Sequence, residues 1–231
     1  MPENKLEGIL HRLYALANPK VMPRKAEKYG ITAENALGIY LKDIKVIAKD
    51  IGKDNALAIA LFDTGIYEAR LLCSRVFKSK DLTPELMEQW ANTFENWEIT
   101  DSFSMKFFTS GPHVDEKILE WTSREETFVK RAGFVMMASY SSVFKKLEDT
   151  YFEDFFPIIE READDDRVYV KKAVNWALRN IGKRNEQLRE KAIDIGERLI
   201  QRPEKSAQWI GKDACRELKN PALRLRGYPR K

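Results

Sequence analysis

Apolar residues return at helical spacing through most of this chain, and that period constrains the fold more than any motif does. Leu6, Ile9, Leu10, Leu13, Tyr14 and Ala17 lie at i, i+3, i+4, i+7, i+8 and i+11, which is one stripe along a helix. Stripes of the same kind recur near 41–51, 66–77, 84–94, 98–108, 126–139, 151–162, 168–181, 188–200 and 206–218. Prolines and glycines fall between them, among them Pro19, Pro23, Gly52, Gly65, Gly111-Pro112, Gly182, Pro203 and Pro221. Thr83 followed by Pro84 predicts an N-cap and a first helical residue. No run alternates apolar and polar residues between turn signals, so the expected fold class is all-α.

A weak internal repeat narrows the class. Val129-Lys130-Arg131-Ala132, Val170-Lys171-Lys172-Ala173 and Gly211-Lys212-Asp213-Ala214 place an alanine every 41 residues, with Tyr67-Glu68-Ala69-Arg70 as a diverged earlier copy. Stacked helical pairs of the HEAT type have periods of about 40–47 residues. Such pairs bury their apolar faces only against neighbours. The expectation is therefore a HEAT-like helical-repeat solenoid with a concave basic groove. It would fill residues 1–231 as a single domain, with a basic C-terminal tail from about residue 219.

Composition excludes several alternatives. With 43% hydrophobic residues in 231, the chain has enough apolar side chain for a core. No stretch reaches the roughly 18 apolar residues of a membrane span. The opening MPENKLEGIL carries no apolar run of the secretory kind. Cys73 and Cys215 are too few for a disulfide framework or a four-ligand zinc site, so no metal is expected and a cytoplasmic setting is. The net charge of +4 is uneven: residues 167–231 hold 18 Lys and Arg against 7 Asp and Glu. A basic third of this kind is a candidate footprint for a polyanion, or else a set of solvated helix faces.

Common catalytic signatures are missing. There is no G-x-G-x-x-G, no phosphate-binding G-x-x-x-x-G-K-[ST], no H-E-x-x-H and no G-x-S-x-G. His11 and His113 read as surface residues. Ser142-Val143-Phe144-Lys145 matches S-x-x-K without its usual partner motifs, and Cys73 sits in an apolar stripe as a core thiol.

Two helices break their own amphipathic logic, and a third carries a basic residue on its flank. Trp176 falls about 120° from the Val170–Ala173–Val174–Ala177–Ile181 stripe, on a face shared with Lys172, Arg179 and Lys183. It serves either to pack on a neighbouring helix or to meet a polyanion that carries stackable rings. Trp97 and Asp101 are four residues apart, so they share a face roughly opposite Ile99, Phe103 and Phe107. A carboxylate beside an indole can stabilise a developing cation or orient water; alternatively Asp101 caps or pairs with a base. Arg131 lies about 100° from the centre of its own stripe, which fits a phosphate clamp or an intramolecular ion pair.

Three segments together resemble the AlkD-type DNA alkylation repair glycosylases, a HEAT-like family. Asn96-Trp97-Glu98-Ile99-Thr100-Asp101 is similar to the family's tryptophan-x-x-x-aspartate helix. Phe128-Val129-Lys130-Arg131-Ala132 resembles the helix bearing its DNA-contacting arginine. The stretch from Tyr169 to Arg179 resembles the helix that bears the second tryptophan. The resemblance runs in order from about residue 18 to 218. It implies that Asp101 is the catalytic carboxylate, that Trp97 and Trp176 wall the damaged nucleotide and that Arg131 holds the backbone. Tyr29 is a further candidate aromatic, and Lys130, Lys172, Arg179, Lys183 and Arg184 complete the expected DNA-contacting set. Asn96 stands where relatives often carry a second tryptophan, and Glu98 replaces a commonly shorter acid.

The implied activity is a monofunctional DNA glycosylase. It would act as a monomer on duplex DNA carrying N3- or N7-alkylated purines, without a cofactor or a membrane. Two other uses of the scaffold remain in view: a non-catalytic binder of DNA structures, and a protein-binding HEAT-repeat module.

Overall fold

The computed structural model describes residues 2–229. All regular elements among them are helical, as the periodicity predicts. The chain gathers into two compact units, one of Met1–Phe103 with Ser110–Pro112 and the other of Ser104–Thr109 with His113–Lys231.

The first unit is built from α1 (Pro2–Ala15), α2 (Val21–Tyr29), α3 (Leu41–Ile51), α4 (Asn55–Asp63), α5 (Tyr67–Val76), α6 (Pro84–Ala91) and α7 (Trp97–Ser104), whose last residue falls to the second unit. Helix starts follow the chemistry of the orphan amides. Asp54 accepts from Leu57 N at 3.1 Å to start α4, and Thr83 accepts from Leu86 N at 3.2 Å to start α6, with Pro84 first as expected. The core centres on Phe62, Trp90, Phe94 and Phe103, with ring centroids 5.3–6.1 Å apart.

The second unit holds α8 (Val114–Trp121), α9 (Thr127–Val143), α10 (Asp149–Glu153), α11 (Phe156–Arg161), α12 (Val168–Gly182), α13 (Glu186–Ile200) and α14 (Lys205–Leu218). The repeated alanines fall at matching places. Ala132 of α9, Ala173 of α12 and Ala214 of α14 are all fully buried, as is Ala69 of α5 in the first unit. Helix α12 packs between α9 and α14. The helices α13 and α14 meet with no room for a side chain: a Cβ on Gly211 would lie 2.3 Å from the Gly196 carbonyl oxygen.

Two sequence expectations need correction. The stripe over 98–108 does not stay helical, since α7 ends at Ser104 and a short 3-10 turn follows at Phe108–Ser110. There the Thr109 hydroxyl donates to the Ser104 carbonyl at 2.6 Å, and the Met105 carbonyl accepts from the Ser139 hydroxyl. The stripe over 151–162 is two helices, because Pro157 in the first turn of α11 has no N–H to continue a ladder from α10. The basic tail is not free along its described length: Arg226 N and Tyr228 N donate to the carbonyls of Lys183 and Arg184, both at 3.0 Å, and the Arg226 guanidinium reaches Asn180. Arg230 and Lys231 of that tail lie outside the described residues.

Candidate functional site

In the first unit, α7 presents Trp97 and Asp101 on one partly exposed face. A buried polar network stands behind them. The Asn96 carbonyl oxygen Oδ1 accepts from the Glu98 and Ile99 amides at 2.9 and 3.2 Å, which caps the start of α7. Its Nδ2 donates to the Thr32 carbonyl at 2.9 Å. The Lys25 ammonium lies 3.0 and 2.8 Å from the two Glu98 oxygens, and the Tyr67 hydroxyl donates to Glu98 Oε2 at 3.0 Å. Burial, reinforced by the Glu98 charge, pushes the Tyr67 hydroxyl well above its ordinary pKa, so it remains a donor. All four side chains are buried.

Trp97 itself is pinned: its indole N–H donates to the Tyr29 carbonyl at 2.9 Å. Tyr29 is half exposed, with the Lys28 ammonium 5.2 Å from its ring centroid. The structure therefore sets the Tyr29 backbone against Trp97 at the start of α7, with Asp101 one turn further along the same helix. Asn96 and Glu98, which distinguish this sequence from the resemblance, are the residues that fix that end.

In the second unit, Arg131, Lys172, Trp176 and Arg179 line one open hollow of about 370 Å³. Trp176 is partly exposed and Lys172 is exposed, while Arg131 is buried and donates to the Tyr169 carbonyl at 2.8 Å. Asn175, Trp209 and Asp213 complete the lining. The sequence reading missed these three. Trp209 carries the signal that picked out Trp176, a large ring off the apolar stripe of its helix, here Ala207, Ile210, Ala214 and Leu218.

The basic residues are not equivalent. Arg179 forms ion pairs with Glu217 and, at 3.7 Å, with Asp213; Lys183 reaches Glu217 at 2.7 Å. Burial alone would raise the Glu217 carboxyl, yet Lys183 and Arg179 hold it below the usual range. Lys130 is buried, 2.5 Å from Glu162 and 3.1 Å from Asp165. Burial opposes ionisation of Asp165 too, but bonds from Arg167 and Lys130 keep its carboxyl lowered.

Arg184 was expected to contact DNA and does not reach the surface. It is fully buried, donating to the Ser141, Phe144 and Leu147 carbonyls at 2.6, 3.1 and 2.8 Å. Its guanidinium carbon lies 3.8 Å from the Phe152 ring centroid, and burial brings its pKa down to about 10, still charged at neutral pH. It ties the end of α12 to the segment after α9.

Cys73 is fully buried and its thiol is pushed up by burial, as expected of a core residue. Among the described residues no three His, Cys, Asp or Glu side chains gather in a way that could hold a metal ion. No helix among them is long and apolar enough to cross a membrane.

The architecture is that of HEAT-like repeat proteins related to DNA glycosylases. A solved structure superimposes with a TM-score of 0.71 at 18% identity, covering 91% of this chain and 94% of the other. It represents proteins related to the HEAT-like repeat DNA glycosylases with affinity for branched DNA structures. The family described as DNA alkylation repair enzyme matches residues 9–218, and the chain belongs to that family. A search of the curated proteins finds no match.

Proposed function

We propose that this protein is a monofunctional DNA glycosylase that hydrolyses the N-glycosidic bond of cationic N3- or N7-alkylpurines in duplex DNA and leaves an abasic site. The observation that carries the reading is the face of α7. A carboxylate and a pinned indole share it, backed by a buried ion pair, in a member of the DNA alkylation repair enzyme family.

The chemistry asks little of the protein. An alkylated purine already carries a positive charge and departs as a neutral base, so no strong general acid, metal or cofactor is required. Cleavage of the bond to the sugar leaves oxocarbenium character at C1′. Water adds there and gives up a proton. Asp101 supplies the negative charge that stabilises this cation and orients the water. The electron-rich faces of Trp97 and Trp176 favour the cationic base and sugar by about 0.5–2 kcal/mol each. Arg131 and Lys172 contact phosphates, with Arg179 and Lys183 flanking them in the second unit, while Tyr29 meets the DNA beside Trp97 in the first. Lys130, buried between two carboxylates, supports its helix rather than meeting DNA. The working form is a monomer in the cytoplasm.

The test is release of 7-methylguanine from methylated duplex DNA by the wild type, abolished in Asp101→Asn with duplex binding kept. A wild-type protein that binds duplex DNA and releases no base overturns the proposal. The second reading, a non-catalytic binder of DNA structures, is favoured by one observation: the related solved protein is described by its affinity for branched DNA.

A further inference from the structure

The hollow of the second unit contains more than a phosphate clamp requires. Two indoles line it, Trp176 from α12 and Trp209 from α14. Among the described residues neither stacks on another aromatic ring, and Trp209 is 38% exposed. The Lys171 ammonium lies 5.2 Å from the Trp209 centroid. Beside the indoles sits Asn175, 1% exposed. Its Nδ2 donates to Asp213 Oδ2 at 2.7 Å, while its Oδ1 is buried with no hydrogen-bond partner among the described residues. Turning the amide over would set that oxygen against the Asp213 carboxylate, so the orphan acceptor is fixed in place. A buried acceptor left without a partner calls for a donor from elsewhere.

We infer that this hollow takes an unpaired nucleobase of a DNA strand, stacked on Trp209 and Trp176, with an N–H edge turned toward Asn175 Oδ1. Aromatic stacking accepts any base, because every base has a π-face, and the amide acceptor adds a preference for bases with an exocyclic amine. Lys171 and Lys172 stand where the phosphates of such a nucleotide would lie. Neither Trp209 nor Asn175 has a part in the proposed excision, so the site adds a structural preference to it: duplexes with an extruded nucleotide bind more tightly than fully paired ones. The inference rests on the DNA-binding half of the proposed function and not on its chemistry.

The test uses the full chain and three unmodified 20–30 base-pair duplexes (a length chosen to exceed one binding site): fully paired, bearing one bulged adenosine, or bearing a bulged tetrahydrofuran spacer. The expected result is that the bulged adenosine binds roughly tenfold more tightly than the spacer. Trp209→Ala should erase that ratio and leave affinity for the paired duplex unchanged, and Trp209→Phe should restore most of it. Because Trp209 lies off the core stripe, the unfolding transition of both variants should match the wild type. Equal affinity of the wild type for adenosine and spacer bulges, with paired duplex still bound, overturns the inference alone. No binding to any duplex overturns it together with the proposed function. Displacement of the bulged duplex by micromolar deoxyadenosine monophosphate would assign the hollow to a free nucleotide and also overturn it. Asp101→Asn should keep the bulge preference whether or not it loses excision.

Discussion

The face of α7 and the face of α12 carry tryptophans for the same proposed purpose, yet they are held in opposite ways. Behind Trp97 and Asp101 lie the buried charges of Lys25 and Glu98, a tyrosine that donates to Glu98, and an asparagine within reach of that tyrosine that caps the helix. Behind Trp176 lies a plain apolar stripe of Val170, Ala173, Val174 and Ala177, and the charges sit beside the ring, paired across to α14. The contrast separates geometry from affinity. Removing a group behind α7 leaves an uncompensated charge in the core and moves the carboxylate. Removing one beside Trp176 changes what the surface attracts and leaves the helix where it is.

The sharpest way to break this comparison is Glu98→Ala. It leaves the buried Lys25 ammonium without its carboxylate, and breaking a buried pair from one side costs about 3–5 kcal/mol. Urea unfolding should show that loss, with Glu98→Gln losing less because it keeps an acceptor for Tyr67. A variant as stable as the wild type would mean the network behind α7 does not hold it. Next in size is Asp101→Asn, where the loss of one preorganised charge should lower excision by about 10²–10³-fold. Its side chain is partly exposed, so the unfolding midpoint should barely move. A stability loss as large as that of Glu98→Ala would turn Asp101 into part of the network and not its product.

Trp176→Ala addresses the other face. The loss should be up to about 2 kcal/mol in excision, the worth of one desolvated cation–π contact, with little change in folding. The structure favours that asymmetry because Trp176 lines an open hollow instead of a helix–helix seam. A large fall in melting temperature with excision intact would return it to a packing role.

What could be read in advance follows from where the information sits. The alanine repeat is visible because three buried helices need the same small residue at the same place, and Ala132, Ala173 and Ala214 supply it. Trp97 and Trp176 are visible as large rings off their stripes, and Trp209 offered the same signal. Helix α4 escaped because NALAIALFD is apolar almost all round, leaving no stripe to find. Helix α8 escaped because Lys117 occupies a buried position between Val114 and Ile118. Asn175 and Asp213 escaped because their meaning is a contact across 38 residues.

The charge count misled for the same reason. Arg184 finds its acceptors in carbonyls some 37–43 residues upstream, and Lys130 finds two carboxylates from the segment before α12. A sum over residues 167–231 weighs Arg184 the same as Lys172, which is exposed, and a count of basic residues on α9 treats Lys130 alike. This yields the smallest and most discriminating expectation. Each phosphate neutralised by a free cation contributes about −0.9 to the slope of log affinity against log salt. Lys172→Ala should lower the slope by about that amount, and Arg131→Ala, whose side chain is buried and bonded to the Tyr169 carbonyl, by less. Lys183→Ala should lower it by less, because its charge is already shared with Glu217, which keeps its ion pair with Arg179 in the variant. Equal slopes for the Lys172 and Lys183 variants would mean that DNA draws Lys183 away from Glu217. The face of α12 would then gain its positive charge on binding rather than hold it beforehand.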